Sequence, residues 1–107
     1  MLIFILKKCW YEKIASGEKT IEYREVKPYW ASRFAKEFEF NQYTFCHIGD
    51  KLEMLTYFIP VKLRLGYTKK YMTALVCRIE IVDGKDTDLH IDAPVYAIHL
   101  VNIEAIQ

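Results

Sequence analysis

The stretch Ser16–Arg24, with the sequence SGEKTIEYR, decides the fold prediction because it joins a helix pattern to a strand pattern. Upstream of it, Trp10 and Ile14 recur at the spacing of an amphipathic helix. Gly17 then stands where helices commonly end, at a residue that adopts a left-handed conformation. We therefore predict a two-turn helix that ends at Gly17 and leads directly into a strand.

That strand, Lys19–Arg24, alternates with a period of two. Its two faces are Lys19, Ile21 and Tyr23 on one side and Thr20, Glu22 and Arg24 on the other. We expect Ile21 and Tyr23 to be buried, which leaves the charged residues on the second face. Lys19 and Glu22 would point to opposite faces of a regular strand. They can therefore act in the same reaction only if Lys19 lies in the turn before the strand.

The rest of the chain predicts one more helix and a series of strands. The run LIFIL, Leu2–Leu6, favours a strand buried on both faces, and a second helix begins near Pro28. Segments rich in β-branched and aromatic residues then predict successive strands, the last of which begins at Pro94. The turn signals between them are Gly49–Asp50, Pro60, Gly66 and Asp83–Gly84. The order predicts a single α+β domain over residues 1–107, with the sheet curled into a small β-barrel and two short helices.

Charge is unevenly distributed along the chain. The formal net charge of +1 excludes the overall basicity of a strong non-specific nucleic-acid binder. Residues 1–36 nevertheless hold eight Lys and Arg residues against four acids, whereas residues 83–92 hold four Asp residues against one Lys. We therefore expect a local basic face.

Other motifs are missing from the sequence. The three cysteines and three histidines lack the spacing of a metal site, and the four glycines form no phosphate-binding loop, so we expect no metal and no cofactor. The apolar run at the start is far shorter than the roughly 20 residues that cross a bilayer. We expect a soluble cytoplasmic protein without a membrane partner.

The segment Leu6–Trp30, LKKCWYEKIASGEKTIEYREVKPYW, closely resembles the opening of ASCH domains, small proteins of the PUA-like superfamily. In that family a strand and a helix lead into a segment of the form SGxKTxExR, followed by KPYW. The likeness is nearest to short ASCH proteins that are common in bacteriophages and gut bacteria. The resemblance covers most of the chain, because later parts of the pattern match RLGYTKK, IEIVDGK and YAIHL, at Arg64–Lys70, Ile79–Lys85 and Tyr96–Leu100.

The resemblance implies a PUA-like barrel with a cleft that binds RNA or a nucleotide and is lined by SGEKTIEYR. Some small members of the family are amidohydrolases that deacylate N4-acetylcytidine with a lysine and a threonine three residues after it. The lysine corresponds to Lys19, whereas Glu22 holds the threonine position. An alternative is therefore a small hydrolase, either an N4-acylcytidine amidohydrolase or a ribonuclease, with Lys19 and Glu22 as catalytic residues. A second alternative is a non-catalytic, phage-type interaction protein.

The chemistry of these residues supports the same candidates, and a simpler interpretation stays open. A lysine in a partly desolvated cleft can serve as a base, and a neighbouring carboxylate can relay protons. The simpler interpretation is that Glu22 and Arg24, two residues apart on one strand face, only pair with each other or with neighbours on the next strand. Aromatic residues near cations favour base stacking, for which Tyr29 is the candidate, whereas we expect Trp30 in the core. The predicted ligand-binding residues are Lys19, Thr20, Glu22, Arg24, Tyr29, Arg64 and Tyr67.

Overall fold

Strands and helices follow one another in the predicted order of strand, helix, strand, helix and then a run of strands. The computed structural model describes residues 2–40, 45–48, 51–54 and 59–106. A short 3-10 turn, Gly84–Asp86, lies between the last two strands. The main elements are β1 (Leu2–Leu6), α1 (Lys8–Ala15), β2 (Ile21–Glu25), α2 (Pro28–Phe40), β3 (Phe45–Ile48), β4 (Lys51–Met54), β5 (Ile59–Leu65), β6 (Tyr71–Asp83) and β7 (Pro94–Ile106).

The main sheet has five strands in the order β1-β5-β6-β7-β2. Strand β1 pairs with β5 in parallel, and the remaining pairs are antiparallel. Strands β3 and β4 form a separate two-stranded sheet. The α+β class and the curl of the sheet are confirmed, but the sheet is an open half-barrel with β1 and β2 at its edges.

The curl follows from two irregularities in the long β6–β7 pair. The register shifts between Thr73 and Leu75 and again between Val76 and Arg78. An extra residue in one strand of a pair bends that strand and increases its twist. At the first shift β7 carries the extra residue, and Asn102 there has a φ of 52°, a conformation that asparagine tolerates better than most residues.

Strand β1 is buried on one face only, so the prediction of burial on both faces is wrong. Leu2, Phe4 and Leu6 are at most 3% exposed, whereas Ile3 is 44% and Ile5 is 37% exposed. Strand β1 is an edge strand, and the core covers only one of its faces. The continuous apolar run LIFIL does not distinguish this arrangement from a strand covered on both sides.

The end of the first helix and the start of the second are as predicted. Helix α1 ends at Ala15, and Gly17 follows it with a φ of 84° and donates its N–H to the carbonyl of Ile14 at 3.1 Å. Helix α2 begins at Pro28 and inserts Phe34, 1% exposed, into the core. The aromatic ring of Trp30 packs between Phe4 and Phe34, with ring centroids 5.1 and 5.9 Å away.

Two sequence features lie outside the described residues. These are the turn signal at Gly49–Asp50 and the first two residues of the apolar segment Tyr57–Val61, whose exposure would favour an interaction protein; the described Ile59 and Val61 of that segment are fully buried. In the part of the chain that the structure describes, no helix has both the length and the apolar character needed to cross a membrane.

Candidate functional site

A cleft of about 310 Å³ lies between the two edge strands of the half-barrel. Strand β1 contributes Ile5 and Leu6, and helix α2 contributes Trp30. The remaining wall comes from α1, from β2 and from the segment before β7. The charged residues that line the cleft are Lys7, Lys19, Glu22, Arg24, Glu25, Lys27 and Asp88.

The charged face of β2 is the face that points to the core. Glu22 is paired with Ile98 and Arg24 with Tyr96, and both β7 residues are buried. Directly opposed residues of an antiparallel pair share a face. The predicted faces are therefore confirmed for residues 21–24, whereas Lys19 and Thr20 precede the strand. The expectation that the face of Tyr23 is the buried one is wrong, because Glu22 is only 5% exposed and Tyr23 is half-buried.

Each carboxylate oxygen of Glu22 has at least one partner. Oε1 accepts the backbone N–H of Tyr23 at 3.0 Å and lies 3.6 Å from Lys19 Nζ. Oε2 accepts from Arg24 Nη2 at 3.2 Å. The expected Glu22–Arg24 pair is thus present, but it does not stand alone, because it belongs to a larger buried cluster. A charge can be buried where several partners compensate its lost hydration.

Lys19 lies between α1 and β2, in the connection where joint chemistry with Glu22 requires it to be. Its side chain is 9% exposed, and its ammonium group contacts both Glu22 and Asp88. The same Nζ is 4.8 Å from the ring centroid of Trp10 and 5.1 Å from that of Tyr23. Two carboxylates and two aromatic rings therefore surround this cation.

Arg24 connects the two edges of the sheet across the cleft. Its Nη2 donates to the backbone carbonyl of Ile5 in β1 at 3.0 Å as well as to Glu22. Its guanidinium lies 5.2 Å from the ring centroid of Phe4 and 5.3 Å from that of Trp30. The Nε atom is buried and has no hydrogen-bond partner among the described residues.

The sequence prediction missed Asp88, which reaches Lys19 from 69 positions away. Asp88 lies in a loop that two hydrogen bonds of Gly84 close. Gly84 donates its N–H to the carbonyl of Ala93 at 2.8 Å, and the Gly84 carbonyl accepts the N–H of Ile91 at 3.2 Å. The buried Thr87 donates its hydroxyl to the same carbonyl at 2.9 Å. The excess of Asp in residues 83–92 was the sequence signal that could have indicated Asp88, because an acidic segment can pair with the basic residues 1–36.

The other predicted ligand-binding residues do not line this cleft. Thr20 is exposed and lines a neighbouring cavity of about 290 Å³, and Tyr29 is 56% exposed and contacts Arg33 in a separate depression. Arg64 is half-buried on β5, and Tyr67 is 91% exposed in the turn after it. The structure therefore brings together Lys19, Glu22 and Arg24 and adds Trp10, Trp30 and Asp88.

A second polar cluster occupies the opposite face of the sheet. Glu80 on β6 accepts from Arg78 Nη2 at 2.9 Å and lies 2.9 Å from His99 Nε2. Tyr23 lies near both clusters. Burial raises the pKa of the Tyr23 phenol, and the negative charges of Asp88 and Glu80 raise it further.

The charges around the cleft almost cancel. With ordinary charge states, the four cations and three carboxylates that line it leave a single positive charge. Among the residues that the structure describes, no group of three or more His, Cys, Asp or Glu side chains is placed to hold a metal ion. The cleft therefore offers hydrogen-bonding groups and aromatic rings with little net charge.

Comparison of the chain with protein-family models, with curated proteins and with solved structures finds no match in any of the three. The resemblance to ASCH domains therefore stays a prediction, and the geometry of the cleft carries the functional argument.

Proposed function

We propose that this chain is an ASCH domain of the PUA-like superfamily and that it binds RNA or a nucleotide in the cleft between β1 and β2. The observation that carries the proposal is the buried carboxylate of Glu22, held between Lys19 and Arg24 in the wall of this cleft. The expected barrel with its cleft beside the helices is compatible with the curled half-barrel.

Energetics favour a ligand-binding role for this cluster over a purely structural one. Removing charges from water costs several kcal/mol for each ion, and apolar residues of similar volume often stabilise a fold equally well. A structural role alone therefore gives little reason to bury Lys19 and Glu22 at 9% and 7% side-chain exposure. A polar ligand that pairs with these groups gives a direct reason.

The size and lining of the cleft fit a nucleobase. Its volume of about 310 Å³ is at the small end of ligand pockets, which span about 300–1,000 Å³. Trp10 and Trp30 supply aromatic surface, and carboxylates and cations supply acceptors and donors for the polar edge of a base. The single surplus positive charge favours an uncharged base inside, with phosphate at the exposed Lys7.

Calorimetric titration with ribonucleosides, their monophosphates and short single-stranded RNA tests this proposal. Glu22→Gln keeps the size of the side chain and removes its charge, and we expect it to weaken binding by about tenfold or more, as for a lost charged hydrogen bond. Glu12→Gln is the matched control, because Glu12 is 63% exposed and only forms a pair with Lys8 at 3.9 Å. Unchanged affinity in Glu22→Gln, or no binding of any of these ligands, contradicts the proposal.

A hydrolase is the second candidate, and the contact between Lys19 and Glu22 favours it. Nζ and Oε1 are 3.6 Å apart in a half-enclosed cleft, where Lys19 would act as base and Glu22 as proton relay. Lys19 contacts both Glu22 and Asp88, so a substrate that uses Lys19 as a base would first have to displace Asp88. We expect a hydrolase, but not a binding domain, to require the displacement of Asp88 from Lys19.

Incubation with N4-acylated cytidines and with RNA, followed by mass spectrometry, separates the two candidates. Turnover that disappears in Lys19→Gln and persists in Lys8→Gln identifies a hydrolase, because the Lys8 side chain is 79% exposed outside the cleft. Binding without turnover identifies a binding domain. The third candidate, a phage-type interaction protein, predicts neither ligand binding nor turnover.

A further inference from the structure

We propose that the turn Gly66–Lys70 is a second RNA contact, in which Tyr67 stacks on a base adjacent to the nucleotide in the cleft. The ligand is then a single strand of RNA and not a free nucleotide. This inference rests on the proposed function and extends it to a surface that the cleft does not include. Three observations carry it. Tyr67 is exposed, hydrogen bonds hold the backbone of the turn in one conformation, and the turn is positively charged and lies beside the cleft.

The ring of Tyr67 is available to a partner. Tyr67 is 91% exposed, compared with 3% for Tyr11, 4% for Tyr96 and 56% for Tyr29. Leaving a large aromatic ring in water forgoes the stabilisation that its burial would give. A ring that contributes so little to the fold is well placed for stacking on an unpaired base, whose face is aromatic whatever its sequence.

The turn that presents Tyr67 is held in one conformation by hydrogen bonds. Leu65 donates its N–H to Lys70 O at 3.0 Å, and its carbonyl accepts the Thr68 hydroxyl at 2.6 Å. Thr68 Oγ1 in turn accepts the N–H of Lys70 at 3.2 Å. Gly66 has a φ of 53°, a left-handed conformation that glycine adopts without strain. Because the backbone is already ordered, stacking on Tyr67 costs little further ordering.

Charge around the turn favours an anionic partner, and the exposed ring of Tyr67 beside it favours RNA over an acidic protein surface. Residues 59–72 contain four cations and no acid, namely Lys62, Arg64, Lys69 and Lys70. No carboxylate of the described chain forms an ion pair with any of these four that the structure records. Lysines beside an exposed aromatic ring provide phosphate contacts next to a stacking surface.

A hydrogen bond connects this turn to the cleft. Gly66, the neighbour of Tyr67, donates its N–H to the carbonyl of Leu6 at 2.8 Å. Leu6 and Lys7 line the cleft, and Lys7 is exposed. A strand of RNA that leaves the cleft at Lys7 therefore meets the turn directly. We infer a path from the cleft along Lys7 to Tyr67 and Lys69.

Affinities for a single ribonucleoside and for hexaribonucleotides of A, U, C and mixed sequence test this inference. We expect the hexanucleotide to bind more tightly than the nucleoside, and Tyr67→Ala to lower hexanucleotide affinity by about tenfold, the size of one stacking contact. We expect Tyr67→Phe to retain the affinity, because stacking needs only the ring. Nucleoside affinity should be the same in all three proteins.

Ile3→Ala is the control, since it removes an exposed apolar side chain outside the cleft and the turn. Lys69→Gln should lower the slope of log affinity against log salt by about 0.7, the value for one phosphate contact of a single strand. Equal hexanucleotide affinity in Tyr67→Ala and the wild type overturns the inference, as does an equal loss in Ile3→Ala. The proposed function survives either result if nucleoside binding still depends on Glu22, and absence of all binding overturns both.

Self-association through the turn is a further distinguishable result. Sedimentation of the wild type and of Tyr67→Ala measures it without RNA. An oligomer that depends on Tyr67, together with unchanged RNA affinity in Tyr67→Ala, overturns the inference and assigns the turn to protein contacts.

Discussion

Strands β2 and β6 carry the same local pair of charges in two different settings. In both, a glutamate and an arginine two residues apart form an ion pair, at 3.2 Å for Glu22–Arg24 and 2.9 Å for Arg78–Glu80. The side chains of the first pair are 7% and 23% exposed, whereas Glu80 is 19% and Arg78 is 49% exposed. The pair geometry is similar, and the environment differs.

The comparison shows that the partners beyond the pair decide what a pair contributes. Glu22–Arg24 also involves a buried lysine, a backbone carbonyl of another strand and two aromatic rings. Removing Arg24 leaves the buried Glu22 with less compensation, whereas water can reach the half-exposed position of Arg78 and Glu80 keeps His99 as a neighbour. The following substitutions test this difference, in order of decreasing expected effect.

The largest effect is expected for Arg24→Ala. It removes the partner of Glu22 and the bond to Ile5 at once, so we expect a loss of about 2–4 kcal/mol in the free energy of unfolding. We expect Arg78→Ala to cost less than about 1 kcal/mol. Urea unfolding of both variants measures the difference. Equal losses would show that the environment of the pair does not matter.

Gly84→Ala is expected to have the next largest effect. A Cβ at Gly84 would lie 2.6 Å from Ala93 O and 2.7 Å from Ile91 O, so the loop that carries Asp88 must shift. Overpacking of this kind costs about 1–3 kcal/mol. Gly17→Ala is the control, because its Cβ would meet nothing within 4 Å and only its φ of 84° is unfavourable, at a cost of about 1 kcal/mol. A smaller loss for Gly84→Ala than for Gly17→Ala contradicts the argument.

Local sequence patterns predicted the local parts of this structure well. Helix α1 and its end at Gly17 follow from residues that are neighbours in the chain, whereas β2 begins at Ile21, two residues after its predicted start at Lys19. The wrong prediction concerned which face of β2 is buried, because charged side chains are usually exposed. Glu22 departs from that tendency since its two cationic partners lie within three positions of it, and sequence spacing does not show that they also turn inward.

Long-range pairing explains what the sequence did not reveal. Asp88 contacts Lys19 across 69 positions, and Arg24 contacts Ile5 across 19. The open sheet likewise depends on the parallel pairing of β1 with β5, which no local pattern encodes. The fold class could therefore be predicted from the sequence, whereas the full set of residues that line the cleft could be identified only from the structure.

Asp88→Asn tests how much the carboxylate of Asp88, which is distant in sequence, contributes to the stability of the cluster. Asp88 is 36% exposed in its side chain, and Lys19 keeps Glu22 as a partner, so we expect a loss of at most about 1 kcal/mol. Thermal unfolding of Asp88→Asn beside Arg24→Ala measures it. A loss as large as that of Arg24→Ala would place Asp88 at the centre of the cluster.

The smallest effect is a change in alkaline stability at Tyr23, which lies near both clusters. Burial, followed by Asp88 and Glu80, raises the pKa of Tyr23 above its ordinary value of 10.0. The folded protein therefore holds the phenolic proton more tightly than the unfolded chain does. This contribution to stability is complete below about pH 10 and is lost as the pH rises through the raised pKa.

We expect Tyr23→Phe to reduce the decrease in unfolding free energy that occurs as the pH rises above about 10. Urea unfolding at several pH values measures this, with Tyr67→Phe at the most exposed tyrosine as the control. The burial of Tyr11 and Tyr96 raises the pKa of each as well, so part of the decrease should remain. An unchanged pH profile in Tyr23→Phe would show that Tyr23 is not responsible.

The bond from Arg24 to Ile5 has a consequence for association between molecules. An open sheet exposes backbone donors and acceptors on its edge strands, and such edges pair readily with strands of other chains. Arg24 occupies the carbonyl of Ile5 on one edge strand, while Glu22 accepts the N–H of Tyr23 on the other. The same side chains that line the cleft thus also occupy one backbone group on each edge strand, which removes that group from pairing with another chain.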